Sequence, residues 1–452
     1  MTAALPPSGL NRFAAVAPVA AIAIGLAIAL PPFLSFVVVS GANIPAPDLA
    51  RDYAIGVVWA LLLGASILLW PVSRSDRRAL LVIWCVKCVV ALGLMLPYEA
   101  NYWTLDAYDY FDFPRNMLYG WQSFGFGMGT DNVMALSWLH QQLVPASYHA
   151  LKMSCAMLGL LAVYVFYRAA QLYLGRPDRR VLYVLAFVPS ILFWSSILGK
   201  DPLVLLGVAL YTYGFVGWYR LRRLRYVGVL LFGVLLAAAM RLWLAPILLA
   251  PLWVVAVRLA PGPIRRAAWL AAGGVVALLG MKLVRQYTTL ASLQEVVDTA
   301  DALARVLAMG GSGEEPPRPL TSVGSVVTFL PLGLFTALFR PLPGEVPNPF
   351  GVMAGVENVA LLLFAAFAAL RARLRDFLDP VVLWAMALLA AWASVYAFLS
   401  YSNLGSAARF KLQILPVLLL LLLYLARGRP AHRARVNSRP SGSPLGRLGS
   451  GP

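Results

Sequence analysis

Apolar runs long enough to cross a bilayer recur along almost the whole chain, and arginine clusters occupy only every second gap between them. A transmembrane helix needs roughly 20 predominantly apolar residues. Twelve spans are expected on this pattern, at 14–38, 54–72, 79–97, 149–172, 181–198, 202–219, 226–240, 242–259, 267–284, 353–370, 380–400 and 411–426. Arg74, Arg77 and Arg78 follow the second; Arg176, Arg179 and Arg180 follow the fourth; Arg220, Arg222, Arg223 and Arg225 follow the sixth. Arg265 and Arg266 follow the eighth, and Arg371, Arg373 and Arg375 the tenth. Short loops rich in Lys and Arg stay in the cytoplasm, so both termini are expected inside. The carboxylates mirror this: of nineteen Asp and Glu, all but Asp76, Asp178, Asp376 and Asp379 lie at or beyond the opposite ends of the runs. The expected fold class is an all-α polytopic membrane protein of about 12 transmembrane helices, with any chemistry facing away from the cytoplasm.

Composition excludes the soluble classes. Of 452 residues, 61% are hydrophobic and 12% charged, so lipid must be the solvent for most of the surface. The net charge of +18 is concentrated in the arginine loops, which suits anionic headgroups at the inner leaflet and argues against nucleic acid as a partner. Arginine far outnumbers lysine and alanine is abundant, which points to a bacterial plasma (inner) membrane. Cys85, Cys88 and Cys155 all fall within spans, where they form no disulfide framework, and no nearby histidine turns Cys85 and Cys88 into a metal shell. Lys87, between the first two, is an ammonium at mid-membrane that requires a partner or a wet cavity. The first span has no cleavage signature and reads as an uncleaved helix. The Arg-, Pro-, Gly- and Ser-rich tail 427–452 cannot bury a core and is expected to be disordered.

Two outer loops are long, 98–148 and 285–352. Within the second, Leu290, Leu293, Val297, Ala300, Leu303 and Leu307 form one stripe, so 286–307 is expected to lie as a helix in the interface. Residues 321–339 are apolar enough for a span, but a further crossing would invert the arginine loop after Leu370. A re-entrant or interfacial segment is therefore expected. GFGMGT at 125–130 lacks the strand–helix context of a phosphate loop and reads as a flexible turn.

The first long loop sets Asp106, Asp109, Asp112 and Asp131 among aromatic residues at the outer surface. Carboxylates there can act as general bases, hold a divalent metal or bind sugar hydroxyls while the rings stack on the sugar; a solvated aromatic belt is the plain alternative. The stretch Asp106-Ala107-Tyr108-Asp109-Tyr110-Phe111-Asp112-Phe113-Pro114-Arg115-Asn116-Met117 resembles the first outer loop of the GT-C glycosyltransferases, closest to the protein O-mannosyltransferase and aminoarabinose transferase branch. Asp106, Tyr110, Arg115 and Met117 match that pattern; Ala107 stands where the family usually has Glu. SSILGKDPLVLLGVALYTYG is similar to the second outer loop, with Asp201 in the place of the site's second acid, although an N-terminal cap followed by Pro202 explains that residue equally well. YSNLGSAARFKLQILPVLLL resembles the last family span, placing Arg409 and Lys411 at the donor entrance. Family members put their acidic loop after the first span; here it follows the third, so 1–78 would be two added spans and 79–426 the GT-C-like core.

The resemblance implies an inverting transfer of a sugar from a polyprenyl-phosphate donor at the extracytoplasmic face. Asp106 is the expected general base, with Tyr110 and Asp112 binding substrate and Arg115, Lys200, Arg409 and Lys411 stabilising the leaving phosphate. A divalent metal, Mg or Mn, on Asp109 or Asp201 is a further option that the resembled branch does not generally need. A twelve-span transporter or flippase, an oligosaccharide polymerase or ligase, and an inactive membrane scaffold are the competing classes.

Overall fold

The computed structural model describes residues 28–116, 119–287, 302, 305 and 322–427. The described residues fold into helices joined by short turns, with no strand among them. The chain runs α1 (Ile28–Ser40), α2 (Leu49–Ser66), α3 (Arg74–Asn101), α4 (Asp106–Asn116), α5 (Gly129–Leu143), α6 (Tyr148–Leu174), α7 (Arg179–Phe187) and α8 (Pro189–Trp194). It continues through α9 (Lys200–Leu221), α10 (Arg225–Met240), α11 (Leu244–Leu259), α12 (Pro263–Tyr287) and α13 (Val323–Phe339). It closes with α14 (Pro349–Arg371), α15 (Pro380–Tyr401), α16 (Leu404–Lys411) and α17 (Leu415–Leu425).

Six of these helices are long and apolar enough to cross a membrane, or seven if the pair α16 and α17, bent by 65°, makes one span. The architecture is that of a polytopic membrane protein. Among the described residues helices occupy the predicted runs, but not all at full spanning length, and residues 14–27 of the first run lie outside the described residues. The fifth run breaks before Pro189 into nine and six residues, because proline denies the helix an amide donor. α10 and α11 have 16 residues each, about 24 Å at 1.5 Å per residue, against a hydrocarbon core of about 30 Å. Within the segment expected to be re-entrant or interfacial, Val323–Phe339 form α13, 17 residues with Pro331 inside, packed along α15 through Phe329 against Phe398 and Tyr401. The helix expected over 286–307 and the tail 428–452 lie outside the described residues, apart from the end of α12 at Tyr287 and the isolated positions 302 and 305.

α6 and α9 form the centre: 78% of the apolar stretch of each is buried inside the protein, against 28% for α2 and 33% for α14. Small residues let α9 and α10 meet backbone to backbone. A β-carbon at Gly214 would stand 2.5 Å from the amide nitrogen of Leu230, and one at Gly233 would stand 2.4 Å from that of Tyr211. In lipid, where apolar side chains gain little by leaving the solvent, such close approach is the main source of helix association.

Polar groups fasten the outer helices to this centre. Ser147 caps α6 by accepting from the Ala150 amide at 3.0 Å, and the buried Asp52 of α2 accepts the amides of Tyr148 and His149 at 2.7 and 3.3 Å. A carboxylate at a helix N-terminus satisfies donors that have no partner within the helix. The backbone of α3 widens into a π turn at Val90–Leu94, where the Tyr53 hydroxyl donates to the Leu92 carbonyl at 2.7 Å. Beyond that turn Glu99 is buried against Lys152, which donates to its two oxygens at 2.8 and 2.9 Å. Lys87 is buried as well, and its ammonium donates to Ser195 Oγ at 2.7 Å, Ser196 Oγ at 2.8 Å and the Ser195 carbonyl at 3.2 Å. The intramembrane cation anticipated from the sequence therefore ties α3 to the turn that leads into α9.

Candidate functional site

The two acidic loops converge. α4 begins at Asp106 because the carboxylates of Asp106 and Asp109 sit in its first turn, where the helix dipole favours negative charge. Its Tyr108, Tyr110, Phe111 and Pro114 are buried; Tyr108 donates to the Glu99 carbonyl at 2.8 Å, and Phe111 meets the Tyr148 ring edge-on at 5.9 Å. This clamps α4 across the start of α6 and directs Asp106 toward α9. Asp106 keeps 64% of its side chain exposed, whereas Asp201, in the first turn of α9, keeps 1%.

Arg409 joins the two acids. Its Nε donates to Asp201 Oδ2, and its Nη1 stands 3.6 Å from Asp106 Oδ2. Asp201 Oδ1 accepts in turn from Arg241 Nη2 at 3.2 Å. Asp201 is thus not the helix cap that Pro202 suggested: Gly199 precedes the helix and no side chain caps it. A nearly buried carboxylate between two guanidiniums is an ion triad, and its geometry fixes Arg409 in front of Asp106. Arg241 itself donates to the Tyr396 hydroxyl at 3.4 Å and lies 4.7 Å over the Phe410 ring, while Trp243 donates to the same hydroxyl at 3.0 Å. Gly199 lies against both the Arg409 guanidinium and the Tyr110 ring; a β-carbon there would meet each at 3.6 Å.

Lys200 completes the cluster from the α9 side, donating to Thr130 Oγ1 at 2.6 Å. Tyr110 also hydrogen-bonds Thr130, and burial, followed by the nearby Asp106 carboxylate, raises its phenol well above the ordinary range. It stays a neutral donor at any physiological pH. At the 125–130 turn, Asn132 accepts from the amide of Gly125 at 2.9 Å and donates to its carbonyl at 2.7 Å and to the Ala239 carbonyl at 2.7 Å.

Helical geometry separates the remaining candidates. At about 100° per residue, Tyr110 shares a face with Asp106, and Asp109 lies within about 60° of it, exposed. Arg115, nine residues on, falls on the opposite side; it is exposed and lies 5.9 Å from the Phe111 ring. Asp112 accepts from Asn116 at 2.8 Å at the far end of α4. Lys411 is two residues beyond Arg409, about 200° round the helix. It is fully buried and donates to Asn358, which in turn donates to the Pro341 carbonyl at 2.8 Å. Arg115 and Lys411 thus stand apart from the phosphate site assigned to them, Lys411 as a structural group.

The metal option does not fit the donors. Both oxygens of Asp201 are held by guanidiniums, and among the described residues no three His, Cys, Asp or Glu side chains converge as a metal shell would.

Cavities frame this cluster. A small one of about 50 Å³ is lined by Asp106, Glu99, Tyr98, Tyr148, Trp194 and Arg409. A larger one of about 250 Å³ shares Tyr98, Trp194 and Arg409 with it and extends past Phe350, Asn348 and Ser406. Tyr98 meets Phe193, Trp194 and Phe350 edge-on in its wall, at 5.5, 6.5 and 5.2 Å. The N-termini of α14 and α16 reach it, capped by Asn348 and Asn403. Through Met353 it adjoins a third cavity of about 620 Å³ between the α7–α8 break, α14 and α17, walled by Val188, Val356, Leu361, Phe364, Leu415 and Leu419.

Arg241, Thr130 and Tyr396 had not been expected in the site. One sign pointed to Arg241: it is a cation in a turn on the carboxylate side of the pattern, where basic residues are sparse. Comparison with protein-family models, curated proteins and solved structures returns no match for this chain.

Proposed function

We propose that the protein is an inverting glycosyltransferase that takes a sugar from a polyprenyl-phosphate donor and passes it to an acceptor hydroxyl at the end of the bundle away from the arginine loops. In this reading that end is extracytoplasmic and both termini are cytoplasmic, with the shorter helices completing a twelve-pass chain of GT-C type. One observation carries it: an exposed Asp106 and a buried Asp201, from separate loops, meet at Arg409 beside an aromatic cavity that shares Met353 with an adjoining apolar groove. The components match the donor. The groove past Leu361, Phe364 and Leu419 suits an isoprenoid chain, the rings of Tyr98, Trp194 and Phe350 suit a sugar face, and Arg409 suits a phosphate.

The chemistry is a single displacement. Asp106 accepts the acceptor hydroxyl's proton as that oxygen forms a bond to the anomeric carbon. The bond from that carbon to the phosphate oxygen breaks on the opposite face, and its electron pair leaves with polyprenyl phosphate. Arg409 stabilises the charge that develops on the leaving oxygen, with Lys200, the residue before Asp201, as the second cation. Asp201 and Arg241 orient Arg409.

The test is a panel of polyprenyl-phosphate sugars offered to the purified protein in nanodiscs together with membrane extract as acceptor. Release of polyprenyl phosphate above empty nanodiscs from at least one donor supports the assignment; no release from any member counts against it. A transporter is the second reading, favoured by the buried Glu99–Lys152 and Asp52–His149 pairs, since ionisable pairs within spans also serve ion-coupled transport. Sugar-lipid or solute uptake into liposomes without a covalent product would select it.

A further inference from the structure

A further cavity opens at the other end of the bundle. It has a volume of about 300 Å³ and is bounded by the last turn of α6, the first turns of α7 and α15, the middle of α9 and the end of α17. Its walls are mainly apolar, Val181, Val184, Val216 and Leu420 among them, with Trp384, Tyr173, Tyr424 and Thr212 interrupting the aliphatic surface. Val216 lies fifteen residues along α9 from Asp201, roughly 22 Å by helix rise, so this cavity is separate from the site above.

Its mouth is cationic. Arg176, Arg180 and Arg427 line it, with Asp178 as the acid among them. Asp178 is engaged as the cap of α7, its Oδ1 accepting the Arg180 amide at 3.1 Å. Arg427 is held by Asp376 at 2.8 Å and lies over the Tyr424 ring. Arg176 and Arg180 are exposed and have no acidic partner among the described residues. The Thr212 hydroxyl is spent on the Val208 carbonyl at 2.8 Å, so the mainly apolar walls favour an alkyl chain over water, and two unneutralised guanidiniums at the rim attract phosphate. The level is that of the arginine loops, where lipid headgroups reside.

We infer that this cavity is a binding site for one anionic phospholipid, with part of an alkyl chain between Val184, Val216 and Leu420 and the headgroup phosphate on Arg176 and Arg180. The assignment uses no residue of the Asp106–Asp201 site.

Native mass spectrometry of the detergent-purified protein, titrated with phosphatidylglycerol or phosphatidylcholine, tests it. The wild type should retain one phosphatidylglycerol in preference to phosphatidylcholine. Arg176→Gln combined with Arg180→Gln should weaken that retention roughly twenty- to thirty-fold, the combined effect of two basic residues near a headgroup. Both arginines are exposed, so the variant keeps its packing. Arg223→Gln, which removes a charge at the same end outside the cavity, should leave retention unchanged. Equal retention of the two lipids, an equal loss in Arg223→Gln, or complete displacement of the lipid by millimolar inorganic phosphate would each overturn the inference.

Discussion

Arg409 and Lys411 show how far two neighbouring cations can differ. Arg409 faces two carboxylates at the mouth of a cavity; Lys411 is sealed against Asn358. Arg409→Gln is expected to lower turnover by about 10²–10³-fold, the usual cost of removing one charged stabiliser of a developing anion. Lys411→Met is expected to keep turnover but to lower thermal stability by about 1–3 kcal/mol, because Asn358 loses its buried donor. Paired turnover and melting measurements separate the two outcomes. Asp106 was legible because acids beside aromatics at the end of an apolar run leave a local trace, whereas Tyr110, Asp201 and Arg409 were expected through the resemblance to the GT-C loops. Lys411 and Arg115 were assigned through the resemblance to the GT-C loops, although helix geometry already turned each away from Arg409 and Asp106. Arg241, Thr130 and Tyr396 reach the site through tertiary packing and carry no local motif.

Elements decide how rigidly that cluster is held. α9 carries Asp201 at one end and meets α10 at Gly214 with no room for a side chain. Gly214→Val must push the two backbones apart and is expected to cost about 1–3 kcal/mol, as overpacking does, read as a lower melting temperature. α5 is joined to α6 by His140, whose Nε2 is 2.9 Å from Ser154 Oγ. Burial lowers the His140 pKa from 6.5 to about 4. Between those values the unfolded chain binds a proton that the folded protein does not, so stability falls as pH drops from about 6.5 toward 4 and the effect levels off below. His140→Gln should flatten that part of the stability–pH curve; an unchanged slope would show that other groups govern it. Helix positions followed from apolar runs and arginine loops, whereas the breaks at Pro189 and between α16 and α17 depend on packing partners that periodicity does not reveal.

On the scale of the whole molecule, charge divides the bundle into an arginine end, where the mainly apolar cavity beside Arg176 and Arg180 lies, and a carboxylate end, where Asp106, Asp201 and Arg409 meet. Cysteines introduced at Trp103, which is 86% exposed, and at Arg223 should react with a membrane-impermeant maleimide from opposite sides, in a background without the three native cysteines. Labelling of both from one side would contradict the expected orientation. The sequence carried this polarity through its loops, since sidedness is a sum over many residues; the route from Asp106 to the apolar groove was not legible, because its walls come from helices far apart in the chain. The most direct test of the account is Asp106→Asn, assayed for both binding and cleavage of whichever polyprenyl-phosphate sugar the wild type uses. The exposed position predicts intact folding and donor binding, with release of polyprenyl phosphate reduced by about 10²–10⁴-fold, the range for a general base. Release at the wild-type rate would contradict the assignment.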